Sequence, residues 1–269
     1  MASYVVGDLH GNVKAFMQAA QRASIDKEKD TLILLGDICD GWIFVAELVE
    51  ELLQYKNLIK ILGNHDFWFI QYLQYGDKDP LWVKQGGQAT LDSYQKNDGL
   101  LNKHQSFWRL SSFLNYYIDF ETKTVFTHGG FDTTKALTQQ YSPTIFQWDR
   151  SLWGHCLDIE TYEEAYPFAC LYKKEGNHLG YKAIHKALKN KDIDIDNVLF
   201  NCFIGHSALG GHSIDDRLIL PKTIKNVTNM DTGAGYMGNV SIMNLETKEV
   251  FTSDPPIFLY DIKDYSYRK

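Results

Sequence analysis

The stretch Leu58-Ile59-Lys60-Ile61-Leu62-Gly63-Asn64-His65-Asp66 decides the fold. Its first five residues form a short run dominated by aliphatics, the pattern of a strand buried on both faces. The chain then turns at once through Gly-Asn-His-Asp, which sets an amide, an imidazole and a carboxylate at one strand end. Alone, this tetrapeptide is a weak signal, but the same grammar recurs along the chain. Tyr4-Val5-Val6 runs into Gly7-Asp8-Leu9-His10-Gly11-Asn12, and Thr31 to Leu35 runs into Gly36-Asp37-Ile38-Cys39-Asp40-Gly41. Thr124-Val125-Phe126-Thr127 runs into His128-Gly129-Gly130, and Cys202-Phe203-Ile204 into Gly205-His206-Ser207. Ligands of open α/β folds gather outside the carboxyl ends of the strands. Five such ends bearing metal-type donors predict one shared polynuclear site.

Working outward, helical spacing predicts helices over 13–23, with Asn12 as cap, and over 42–55. With the strands this makes a βαβαβ start, hence a parallel sheet with right-handed crossovers. Residues 67–75 and 95–115 read as helices, and Gly86-Gly87 as a tight turn. Residues 116–120 and 124–127 read as a hairpin. From about 131 to 195 the pattern is mainly helix and loop, expected to cover the active-site side of the same single domain, 1–269. Strand signals return at 198–204, 223–226, 227–231, 240–244 and 250–252, and Asp231 to Tyr236 reads as a structural turn near the rim.

Composition narrows the class. At 44% hydrophobic and 23% charged residues, the chain has the makeup of a soluble globular protein. The 14% aromatic share is read as core and loop packing. A formal charge of −7 argues against bulk binding to nucleic acid or anionic membrane. Cys39, Cys156, Cys170 and Cys202 form no Cys-x-x-Cys pair, which argues against a zinc ribbon or thioredoxin-type site. With no run of transmembrane length and a first strand beginning by Tyr4, a cytoplasmic location is expected.

Carboxylate, imidazole and amide oxygen together suit first-row ions such as Mn²⁺, Fe or Zn²⁺. Asp8, His10, Asp37, Asn64, His128 and His206 supply six side chains. With one carboxylate bridging and a water or hydroxide shared, that number suits two divalent ions roughly 3.5–4 Å apart. Such a pair favours in-line displacement at phosphorus. A leaving alkoxide needs a proton, which His65 is suited to give if a carboxylate, Asp40, orients its ring.

These motifs, in this order, resemble the calcineurin-like metallophosphoesterases, above all the serine/threonine phosphatase-like branch that includes bacterial and phage phosphatases and diadenosine tetraphosphatases. The resemblance spans residues 7–207. It implies a four-layer αββα sandwich with two central mixed β-sheets. It also implies Asp8 and His10 on the first metal, Asp37 bridging, and Asn64, His128 and His206 on the second. His65 and Asp40 would form the acid pair, and Asn64 and Arg150 would contact phosphate. The expected function is hydrolysis of phosphomonoesters, including phosphoserine and phosphothreonine proteins, by direct attack of a metal-bridging hydroxide. The alternatives are hydrolysis of dinucleoside polyphosphates or related nucleotides, and an inactive binding module. Two departures stand out. Gly41 follows Asp40 where the family usually has a phosphate-holding arginine, and Asp66 ends the central motif where many members have Glu, a milder change. Separately, Gly205-His206-Ser207-Ala208 lacks the second histidine of the phosphodiesterase branches, which favours the phosphatase branch.

Overall fold

The computed structural model describes residues 1–133, 135, 137–160, 170–172, 178–179, 199–213 and 216–264. In chain order the strands are β1 (Ser3–Val6), β2 (Thr31–Leu34), β3 (Asn57–Lys60), β4 (Tyr116–Asp119), β5 (Thr124–Thr127), β6 (Cys170–Tyr172), β7 (His178–Leu179), β8 (Leu199–Ile204), β9 (Lys222–Ile224), β10 (Val227–Asn229), β11 (Ser241–Asn244) and β12 (Val250–Thr252). The first three helices are α1 (Val13–Arg22), α2 (Val45–Leu52) and α3 (Asn64–Tyr75). One sheet runs β12-β11-β1-β2-β3, and the second has the spine β4-β5-β8-β10-β9, with the β6–β7 hairpin attached to β8.

Both sheets are mixed. β1, β2 and β3 are mutually parallel, as are β5, β8 and β10, while the flanking strands pair antiparallel. Period-two alternation explains the layering. Tyr4, Val6, Leu32 and Leu34 pack with Phe16, Leu48 and Phe69 of α1, α2 and α3. Val5, Ile33 and Leu35 face the opposite way, against Phe126, Phe203 and Met230 of the second sheet. On that sheet Val125, Cys202 and Ile204 turn outward to Phe146, Leu152, Trp153 and Cys156. The order is therefore helix, sheet, sheet, helix.

Several boundaries differ from the sequence reading, each for a local reason. β3 ends at Lys60 because Leu62 N–H donates to the Leu114 carbonyl and Ile61 bridges to Leu114. α2 starts at Val45 because Trp42 is tied elsewhere, its N–H to the His10 carbonyl at 2.9 Å and its indole N–H to the Ala234 carbonyl at 2.7 Å. α3 starts three residues early, at Asn64, since Asp66 folds back to accept from Gly63 N–H at 3.2 Å. Asn12 occupies the cap position of α1, but its side chain makes no capping bond. The helix expected over 95–115 is instead Gln88–Lys96, a single turn at Leu100–Lys103 and a 3₁₀ turn at Leu110–Ser112, broken where Gly99 takes a φ of +85°. The region 131–195 contains helices Ile145–Trp148 and Ser151–Glu160 but also the β6–β7 hairpin. The rest of that expectation, 161–169, 173–177 and 180–195, lies outside the described residues. Among the described residues no helix is long and apolar enough to cross a membrane.

Lys60 is an unexpected member of the first core. Its ammonium donates to the Phe107 carbonyl and to Ser112 Oγ at 2.9 Å, 3.8 Å from the centre of the Phe107 ring and 4.1 Å from that of Phe113. Burial outweighs attraction to Asp66 and pushes its pKa down to about 8. Between that value and the unfolded-chain value near 10.5 the unfolded state binds more protons, so stability rises with pH. Relative to Lys60→Met, the wild type should gain about 2 kcal/mol between pH 7 and 9.5. Urea unfolding of both proteins at the two pH values measures the gain, and parallel pH curves would remove Lys60 as its source.

Candidate metal centre

The loops after β1, β2, β3, β5 and β8 converge on one rim. All but the β5 loop, whose His128 lies behind Asp37 and Asn64, line a cavity of about 480 Å³, with Asp8, His10, Asp37, Asn64, His65 and His206 in its wall. Backbone bonds lock the first two loops together. Leu9 and His10 N–H both donate to the Asp37 carbonyl, and Gly11 N–H donates to that of Ile38, at 2.8–3.0 Å. Asp66 staples the second loop to the third, accepting from Ile38 N–H at 2.9 Å as well as from Gly63. Held without solvent beside Asp37, the Asp66 carboxyl is pushed up to about 7. Its structural work was not visible in the motif.

Backbone strain concentrates here. His10, Asp37, Asp40 and His206 all take left-handed φ values, between 49° and 70°. Such angles are uncommon for residues with a Cβ and cluster at functional sites, where surrounding structure must hold them.

The imidazoles are aimed by carbonyl groups. His10 Nδ1 is 2.9 Å from the Cys39 carbonyl oxygen and His128 Nδ1 is 2.8 Å from that of Leu35. Each Nδ1–H therefore donates to a carbonyl and leaves Nε2 as the ligand atom, a common outer-shell device of metal-binding histidines. His10 Nε2 lies 3.7 Å from Asp8 Oδ2 and 3.5 Å from Asp37 Oδ2. His128 Nε2 lies 3.4 Å from Asp37 Oδ1 and 3.1 Å from Asn64 Oδ1. Buried His206 Nε2 has no hydrogen-bond partner among the described residues.

A divalent pair fits this donor set. Contacts of 3.4–3.7 Å are long for hydrogen bonds but natural for two ligands on one ion, each at about 2.0–2.2 Å. Two groupings share Asp37: one with His10 and His65, the other with His128 and His206. Asp8 joins the rim through Oδ1, which accepts from His206 N–H at 3.1 Å. The charges follow. Burial disfavours the Asp37 anion, yet His128, His65 and His10 together hold its carboxyl well below the usual range. Burial also opposes charge on His128, but Asp37 overcomes it and pushes the ring up to about 9. At His206 burial dominates, aided by His128 and Arg150, and the pKa falls to about 2.

His65 Nδ1 lies 2.7 Å from Asp40 Oδ2, so the structure brings these two residues into contact. Asn64 and Arg150 both reach the cavity, Arg150 donating Nη2–H to the His206 carbonyl at 3.1 Å. The missing arginine after Asp40 has a physical counterpart. Gly41 has a φ of +95°, and a Cβ there would sit 3.2 Å from the Gly235 carbonyl oxygen and 3.3 Å from His10. The loop after β10 fills that side. Read from sequence as a structural turn, this loop also supplies Asp231, Gly235 and Tyr236 to the cavity wall. The aromatic residues are mostly core, but Trp148, Trp153 and Tyr236 also line the cavity, joined by His212.

The family model for the calcineurin-like phosphoesterases matches residues 1–209. The chain belongs to the calcineurin-like phosphoesterase family. Among its curated relatives, it is 24% identical to a symmetrical bis(5'-nucleosyl)-tetraphosphatase of Haemophilus ducreyi, covering 94% of this chain and 99% of that protein. It is 25% identical to the protein of that name from Pseudomonas fluorescens, covering 94% of both. Solved phosphoesterase folds superpose as well. A provisionally assigned diadenosine tetraphosphatase gives a TM-score of 0.57 at 13% identity, over 94% of this chain and 92% of that one. A protein serine/threonine phosphatase from Saccharomyces cerevisiae gives 0.51 at 14% identity, over 95% and 79%.

Proposed function

We propose that the protein hydrolyses the central phosphoanhydride of a dinucleoside tetraphosphate, releasing two nucleoside diphosphates. The observation that carries this reading is the nearly end-to-end similarity to symmetrical tetraphosphatases, which supports the alternative substrate class over phosphoproteins. The cavity supports it with Trp148, Tyr236 and His212 in its wall, planar groups against which a nucleobase can stack.

Asp8, His10, Asp37, Asn64, His128 and His206 would hold two divalent ions, Mn²⁺ first among the candidates. When bound, these would acidify water and neutralise charge building on the phosphoryl oxygens. The chain's own residues do the rest. The Asn64 amide and the Arg150 guanidinium bind the phosphoryl oxygens, Arg150 as a planar fork. His65, with Nδ1–H held by Asp40, has only Nε2 left to protonate the departing oxygen. Asp37 keeps His65 in place from the other side, its Oδ1 accepting the His65 backbone N–H at 2.9 Å.

Steady-state hydrolysis with Mn²⁺ tests the substrate class. Diadenosine tetraphosphate should exceed a phosphoserine peptide in kcat/KM by about 30- to 150-fold, as expected when nucleotide contacts add about 2–3 kcal/mol in the transition state. A preference for the peptide would return the reading to protein phosphatase. Arg150→Ala should raise KM and lower kcat, costing about 10- to 100-fold in kcat/KM, in line with one lost charge-assisted contact. An unchanged kcat/KM would remove Arg150 from the phosphate site.

A further inference from the structure

Asp40 does more than meet His65. Its Oδ2 also accepts the Trp82 indole N–H at 2.7 Å, and its Oδ1 accepts the Thr90 hydroxyl at 2.6 Å. The Thr90 oxygen in turn accepts the Asp40 backbone N–H at 2.9 Å, so one threonine brackets both ends of a residue held at a φ of +70°. Asp40, Trp82 and Thr90 are all fully buried. A carboxylate with three donors around it, one of them His65, cannot rotate, and neither can the ring it holds.

The segment that delivers these anchors is built for the purpose. Asp79 caps a turn at Pro80–Trp82 by accepting Leu81 N–H at 2.7 Å, and a widened turn follows at Val83–Gly87. Gly86 adopts a φ of +106°, and its carbonyl accepts Gly41 N–H at 3.2 Å. At Gly87 a Cβ would lie 2.4–2.5 Å from the Trp82 ring atoms Cε2 and Nε1. The double glycine is thus what lets the indole lie flat under the turn with its N–H on Asp40. Phe69 and Tyr72, on the α3 helix that carries His65 in its first turn, flank the same indole at ring separations of 6.3 and 5.4 Å.

We infer that Trp82 and Thr90 are positioning residues for the proton-donating pair, acting on His65 through Asp40, and that Gly86-Gly87 exists to seat Trp82. The inference rests on the proposed hydrolysis only for its kinetic readout. Freezing the imidazole removes a reorientation step before proton transfer, and general acid catalysis supplies about 10²- to 10⁴-fold. Part of that factor should be lost when the carboxylate is freed.

A double-mutant cycle on diadenosine tetraphosphate, together with proton NMR of the full chain, tests this. Trp82→Phe and Thr90→Val should each lower kcat by about 10- to 100-fold with KM nearly unchanged, and Thr90→Ser should recover most of the loss. In an Asp40→Asn background the same changes should cost almost nothing more, because the residue they act through is gone. The low-field resonance of the His65 Nδ1 proton, identified by its loss in His65→Asn, should shift or broaden in Trp82→Phe and Thr90→Val without substrate or metal. Additive losses in the Asp40→Asn background, or an unmoved resonance in both variants, would overturn the inference. The NMR arm stands even if the wild type proves inactive on the dinucleotide, an outcome that would reject the substrate reading alone.

Discussion

Asp37→Asn should leave a folded protein that has lost about 10³-fold or more in kcat and binds fewer than two ions per chain. Asp37 is the residue common to both candidate metal groupings, and its two oxygens face different histidines, Oδ2 toward His10 and Oδ1 toward His128. Asparagine keeps the shape and one oxygen, so the bond from His65 N–H survives. It removes the anion, and with it the charge needed to hold two cations together. If the lost stabilisation of transition-state charge is about 4 kcal/mol, the rate falls about 10³-fold. Metal analysis after gel filtration and circular dichroism separate this from misfolding. A folded variant with wild-type turnover would show that Asp37 does not bridge.

Gly63→Ala should be nearly as damaging without touching a donor atom. Its Cβ would lie 2.2 Å from both Asp37 N and Asp37 Oδ1 and 3.0 Å from Asp37 Cα. Asp37 cannot yield, because its carbonyl holds Leu9 and His10 N–H and its neighbour Gly36 already stands at a φ of +100°. On the other side, a Cβ on Gly36 would meet Gly63 N at 2.6 Å. The two loops are thus in backbone contact. Separating them moves Asp37 away from Asn64 and His65 and should cost about 2–4 kcal/mol of stability and at least 100-fold in kcat. Gly154→Ala is the control. It lies in the helix Ser151–Glu160 with nothing among the described residues within 4 Å of the new Cβ, and should be neutral or gain up to about 1 kcal/mol. Thermal melts and initial rates of both variants decide the matter, and equal behaviour would mean that the loop contact is soft.

What the sequence made legible is what depends on short range. Each donor loop follows a short, mainly apolar run, and the strand alternation that sends Val5 to one layer and Val6 to another is local as well. The Asp40–His65 pair could be named because chemistry demands an orienting carboxylate and the family resemblance implies Asp40 in that role. What escaped depended on distant partners. Trp82 and Thr90 are 42 and 50 residues from Asp40, and nothing in their own neighbourhood marks them beyond a double glycine. Trp42 looked helical because its pattern is, yet bonds to His10 and Ala234 hold it out of α2. Asp66 read as a variant of a motif glutamate, whereas its task is to tie the β2 loop to the β3 loop. The loop after β10 reaches the site because β10 lies beside β8, an ordering no local pattern carries.

The measurement closest to the central claim is hydrolysis of diadenosine tetraphosphate with products resolved by chromatography, before chelation, after it, and after Mn²⁺ is restored. The account predicts ADP as the sole nucleotide product, no turnover in the chelated protein, and recovery with Mn²⁺. Turnover that survives complete removal of metal, or products that are ATP and AMP, would contradict it.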